Sequence, residues 1–273
     1  MDRIVRRPLS FALDGLQLAA TLDDAPGETG LLIVTGGTQI RIGPHRSLAA
    51  LAAEVAARGF PAFRFDRRGI GDSEGNDPGF AASGPDIIAA AAAFRGQCPQ
   101  LRRLVAFGLC DAASALALHH RDAGIDALLL ANPWVVEPPS GLPPPAAIRR
   151  HYVERLTTRR GWSHLLGGAV DLRKAAQGLR AASSRAESSL AAHVAQALAA
   201  TPAPVTLLLA ERDATAIAFE AEYRKRPFAA LHQSERVTVE RCPSASHSFA
   251  PRADAEWLAR TVIDALERLP PSR

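Results

Sequence analysis

The chain has 273 residues, enough for one large α/β domain with an insertion or for two small domains. Its 47% hydrophobic and 22% charged residues give the balance of a globular protein and exclude a disordered or fibrous chain. The 32 Lys plus Arg against 28 Asp plus Glu are scattered, without the concentrated basic stripe that nucleic-acid binding requires.

The segment Met1–Arg7 is basic but has no apolar stretch behind it, so a signal peptide is not expected. No run approaches the roughly 18 apolar residues of a membrane span. Three cysteines, Cys98, Cys110 and Cys242, lie far apart with no CxxC pair. That count and spacing argue against a disulfide framework and a thiolate zinc site, and a reducing cytoplasm is the expected compartment.

In chain order, Leu9–Leu13 and Leu16–Leu22 flank Asp14-Gly15 and predict an antiparallel hairpin. Leu31–Val34 is a continuous apolar run ending at Gly36-Gly37, as in a strand buried on both faces. A helix is predicted from His45 to Arg58, then a strand from Phe60 to Phe65 that ends at Asp66. A helix from Pro85 to Arg95 leads into the strand Leu104–Phe107, the helix Asp111–Arg121 and the strand Ala127–Leu130. Two further strands, Val205–Leu209 and Val237–Val239, precede a final helix over Ala253–Leu269. The alternation predicts an α/β fold with a mostly parallel sheet and helices on both faces. Sites in such sheets lie beyond the carboxyl ends of the strands.

Residues 134–200 break the alternation. They open with Pro138-Pro139 and Pro143–Pro145 and continue as a basic segment carrying Tyr152, Leu156, Trp162, Leu165 and Leu166. They are read as a helical cap inserted into a core formed by residues 1–133 and 201–273.

Gly108-Leu109-Cys110-Asp111-Ala112 sits between a predicted buried strand and a helix. That is the context of the G-x-S-x-G nucleophile elbow, with Cys110 in the place of serine. The turn is tight enough that the residues two before and two after the nucleophile must be small, as Gly108 and Ala112 are. The helix start supplies N–H groups and a positive dipole end that favour a thiolate. Asp111, a carboxylate one residue away, opposes it.

A triad on this scaffold runs in the order nucleophile, acid, histidine. Asp213 follows the strand Val205–Leu209, and His247 follows the strand Val237–Val239. His247 is the candidate base, and Asp213 the acid that orients it, with Glu211 as the alternative acid. The oxyanion hole needs two backbone donors: the N–H of Asp111, and one from Thr35-Gly36-Gly37-Thr38, with Gly37 the expected donor. In the following loop, Gln39, Arg41, His45 and Arg46 are candidates for binding a substrate carboxylate or phosphate. Loop-pinning ion pairs, with Arg46 on Asp66 or Glu54, are the structural alternative. No metal-ligand constellation is visible, and no cofactor is expected.

Asp66-Arg67-Arg68-Gly69-Ile70-Gly71-Asp72-Ser73 resembles the D-x-R-G-x-G-x-S stretch found across α/β-hydrolases. More narrowly, the chain resembles the type 1 exosortase A system-associated hydrolases. The likeness is carried by Gly36–Arg46, Phe65–Gly75, Gly108–Ala113 and the pattern His151-Tyr152 through Trp162, Leu165 and Asp171-Leu172. It implies an α/β-hydrolase fold with cysteine already in the elbow, and a bacterial protein linked to an exosortase and exopolysaccharide locus. The expected activity is hydrolysis of an ester, thioester or lactone of a small acyl substrate through an acyl-enzyme. An acyltransferase with the same triad, or a non-catalytic acyl- or saccharide-binding protein of the same fold, are the alternatives.

Overall fold

The computed structural model describes residues 5–136 and 190–269. Most of the interval read as a cap, 137–189, therefore lies outside the described residues.

Strands β1 (Val5–Leu13) and β2 (Leu16–Asp24) form the predicted hairpin around Asp14-Gly15. They are followed by β3 (Thr29–Val34), β4 (Ala62–Phe65), β5 (Arg103–Leu109), β6 (Ala127–Ala131), β7 (Val205–Ala210) and β8 (Val237–Cys242). The sheet order is β1-β2-β4-β3-β5-β6-β7-β8. β2 pairs antiparallel with both β1 and β4, and every pair from β4 to β8 is parallel.

The helices are α1 (Ser47–Ala57), α2 (Gly84–Gln97), α3 (Asp111–His119), α4 (Leu190–Ala199), α5 (Ala214–Tyr223), α6 (Ala229–His232) and α7 (Arg252–Arg268). Successive strand residues feed opposite faces of the sheet. Leu32 and Val34 pack with Phe94 of α2, Leu116 of α3 and Leu198 of α4. Leu31 and Ile33 pack with Leu51 and Val55 of α1 and Val262 and Leu266 of α7. Burial on both faces is why the central strands read as unbroken apolar runs.

Two differences from the sequence reading concern helices. α1 begins at Ser47 rather than His45, because His45 and Arg46 have φ of 51° and 63° and cannot start a right-handed helix. α4 falls inside the interval 134–200, yet it buries Ala191, Val194, Ala195 and Leu198 in the cluster that holds β6. Val136 and Leu190, at the two ends of residues 137–189, pack against that same cluster.

Buried charges hold the loop after β3. Asp66, fully buried at the end of β4, accepts from the Arg41 N–H at 2.5 Å, the Asp72 N–H at 3.2 Å and the Arg41 guanidinium. Beneath it, Arg64 of β4 pairs with Asp23 of β2 at 3.1 Å and donates to the Arg41 carbonyl at 2.9 Å. Arg68 grips the buried Asp86 of α2 at 2.9 Å.

Candidate active site

β5 and α3 meet at Cys110, which adopts φ 64° and ψ −125°. A non-glycine residue there carries about 1–3 kcal/mol of backbone strain, sustained only where the surroundings fix it. They do. The Cys110 N–H donates to the Ala131 carbonyl at 2.9 Å, and the Cys110 carbonyl accepts from Trp134 and Ala113, each at 3.1 Å. A Cβ on Gly108 would lie 2.8 Å from the Ala112 carbonyl, so the elbow closes only over a glycine. Cys110 is the half-exposed cysteine, whereas Cys98 and Cys242 are buried. Burial pushes the Cys98 thiol up to about 11 and moves the Cys242 thiol in the same direction.

Asp213 and His247 are brought together from the ends of β7 and β8. Nδ1 of His247 lies 3.1 Å from Oδ2 of Asp213, which is 7% exposed. Asp213 also caps α5, where its Oδ2 accepts from the Thr215 and Ala216 N–H groups at 3.0 Å each. Glu211 points to solvent and makes no such contact. The Asp213 bond sets the tautomer, with the proton on Nδ1. Asp213 first and the Cys110 side chain second overcome burial and raise His247 from 6.5 to about 10.

One residue that the sequence marks only by its place at a strand end, with no role assigned, completes the geometry. Asn132, fully buried just past β6, donates through Nδ2 to the His247 carbonyl and accepts at Oδ1 from the Ala210 N–H, each at 2.9 Å. It ties the histidine loop to the strand that delivers Asp213. Its signal in the sequence is a lone amide at the carboxyl end of an apolar strand.

The predicted oxyanion-hole residues are adjacent, but not as free donors. The Gly37 N–H donates to both carboxylate oxygens of Asp111, at 2.8 and 3.0 Å. On its far side the Gly37 carbonyl accepts from Nη2 of Arg67 at 2.5 Å, and Arg67 is buried.

Of the four candidate substrate-binding residues, Arg41 is committed elsewhere. Its guanidinium bonds Asp66, Asp72 at 2.9 Å and Thr21 at 3.2 Å. The ion pair pinning the loop is thus Arg41 on Asp66. His45 and Arg46 are exposed ahead of α1, and Gln39 is half-buried with its N–H closing a turn onto the Gly36 carbonyl. None of these three reaches the triad by a hydrogen bond or ion pair among the described residues. No group of three His, Cys, Asp or Glu side chains among the described residues could hold a metal ion. No described helix is long and apolar enough to cross a membrane.

The order of strands, the elbow and the residues at the strand ends define an α/β-hydrolase. Residues 32–261 match the model of the alpha/beta hydrolase family, and the chain belongs to that family. Among solved structures, it is similar to the esterase Pf2001 of Pyrococcus furiosus, with a TM-score of 0.65 and 14% identity over 97% of this chain and 93% of that one. Est1E of Butyrivibrio proteoclasticus, solved with ferulic acid bound, gives 0.61 and 19% over 95% and 98%. A dienelactone hydrolase of Anabaena variabilis gives 0.58 and 14% over 96% of both chains. At these identities the likeness is one of fold. No curated protein matches the sequence.

Proposed function

We propose that the protein hydrolyses an ester, thioester or lactone of a small acyl substrate through an acyl-enzyme on Cys110. The observation that carries this reading is the strained elbow cysteine together with the His247–Asp213 hydrogen bond, the Cys110 side chain also favouring the charged ring. Sγ attacks the acyl carbon with its proton taken up by His247, and the imidazolium then protonates the departing alkoxide or thiolate. Neutral His247 next takes a proton from water, which attacks the thioester and frees the acid. Asp213 holds the ring in the required tautomer throughout. The resemblance to the type 1 exosortase A system-associated hydrolases supports a role beside an exosortase and exopolysaccharide locus.

The test is labelling with a thiol-directed acylating probe, together with turnover of a model thioester. Cys110→Ala is expected to abolish both, and His247→Ala to reduce turnover by about 10²-fold or more. Cys98 and Cys242 serve as internal controls and are expected to stay unlabelled. Labelling and turnover that survive both substitutions would overturn the reading.

A further inference from the structure

We propose that Asp111 gates the oxyanion hole and thereby selects acyl groups by charge, a proposal that rests on Cys110 being the nucleophile. The Asp111 carboxylate sits on the Gly37 N–H at 2.8 and 3.0 Å, where the second donor to an acyl oxygen would have to act. The first donor remains open. As the first residue of α3, Asp111 has no intrahelical partner for its own N–H.

The fit is close on every side. Gly36 has an ordinary negative-φ backbone, yet a Cβ there would collide with the Asp111 carboxylate and the Leu109 carbonyl. The glycine leaves the space the carboxylate occupies. Arg67 fixes the next peptide through the Gly37 carbonyl. That arginine is 2% exposed, and its Nε and Nη1 have no hydrogen-bond partner among the described residues. The Gly37 N–H faces an anion, and the anion present is Asp111.

Acylation places a second anion on the same donor. As Sγ bonds to the acyl carbon, the carbonyl π pair moves to oxygen; its return re-forms the carbonyl and expels the leaving group, which takes its proton from His247. During that step the oxyanion and the Asp111 carboxylate compete for one N–H, and like charges so close repel strongly. Asp111 is half-buried and short, so it can swing off Gly37. Its charge then stays beside the acyl group. An acyl chain carrying an ammonium or hydroxyl donor near the carbonyl compensates the displaced carboxylate, a neutral chain does not, and an anionic chain adds repulsion.

Three thioesters of one thiol test this: β-alanyl, butanoyl and succinyl, with acylation of Cys110 followed by mass. The expected order is β-alanyl over butanoyl over succinyl, by about tenfold per step. Asp111→Asn is expected to flatten the order, and Asp111→Ala to speed butanoyl transfer about tenfold. Alkylation by iodoacetamide forms no oxyanion, and its limiting rate at high pH should change less than about threefold in either variant. The contact itself is read without turnover: the Gly37 amide should be protected from hydrogen exchange in the parent and lose that protection in Asp111→Ala. Variants that alkylate normally but keep the charge order, or that acylate more slowly, would overturn the gate and make Asp111 a support of the hole. An unprotected Gly37 amide in the parent would do the same. If the parent's Cys110 takes neither acyl group nor iodoacetamide, the nucleophile reading itself fails, whereas Gly37 exchange still reports on the Asp111 contact.

Discussion

At the scale of single residues, the protonation of His247 has the most direct experimental consequence. Its folded value of about 10 stands above the ordinary 6.5 because Asp213 and Cys110 favour the charged ring. A raised value stabilises the fold fully below about 6.5, and that contribution is lost as pH climbs through about 10. Thermal unfolding of the parent and of His247→Gln should therefore differ most at pH 6 and converge toward pH 10. A gap that widens with pH would contradict the hydrogen-bonded imidazolium. The candidate triad can be read from the sequence because each member follows a strand of the sheet, in the chain order this scaffold requires. What the sequence could not reveal was which side chains would spend their charge on the scaffold. Arg41, a substrate candidate by position, is held by Asp66 and Asp72, and Gly37, a free donor by motif, is held by Asp111. Both outcomes depend on distances between segments 25 and 74 residues apart, which local pattern does not encode.

At the scale of elements, two side chains serve structure and chemistry together. Asp213 is both the partner of His247 and the cap of α5. Asp213→Asn keeps a good capping side chain and removes the charge, so activity should fall with little loss of stability. Asp213→Ala should lose activity and about 1 kcal/mol of stability besides, measured by urea unfolding. Asn132 joins the ends of β6 and β7 to the histidine loop, and Asn132→Ala would leave the buried Ala210 N–H without its partner. The expected cost is about 1–3 kcal/mol, with slower turnover because the His247 loop loses its tether. The element boundaries given by composition alone stopped short of the strand ends. β5 runs to Leu109 and β8 to Cys242 because neighbouring strands continue to pair there, a long-range property. α4 reads from sequence as part of the helical cap rather than of the core for a related reason: its four buried residues make sense only against the β6 face that receives them.

At the scale of the whole molecule, the antiparallel edge and the parallel centre are joined by a buried ion pair. Arg64 is 1% exposed and depends on Asp23, also fully buried, for its counter-charge. Burial lowers the pKa of this arginine, and Asp23 opposes that effect. Removing the carboxylate by Asp23→Ala should cost about 3–5 kcal/mol in denaturant unfolding, because the guanidinium would stay behind unpaired. The loss should reach the site indirectly, since Arg64 also holds the Arg41 carbonyl in the loop after β3.

Val136 and Leu190 both pack against the core cluster on the β6 face of the sheet. The strands on either side of residues 137–189 pair directly, Leu128 with Val205 through Ala131 with Leu208, so a change of chain length between them need not shift the register of the sheet.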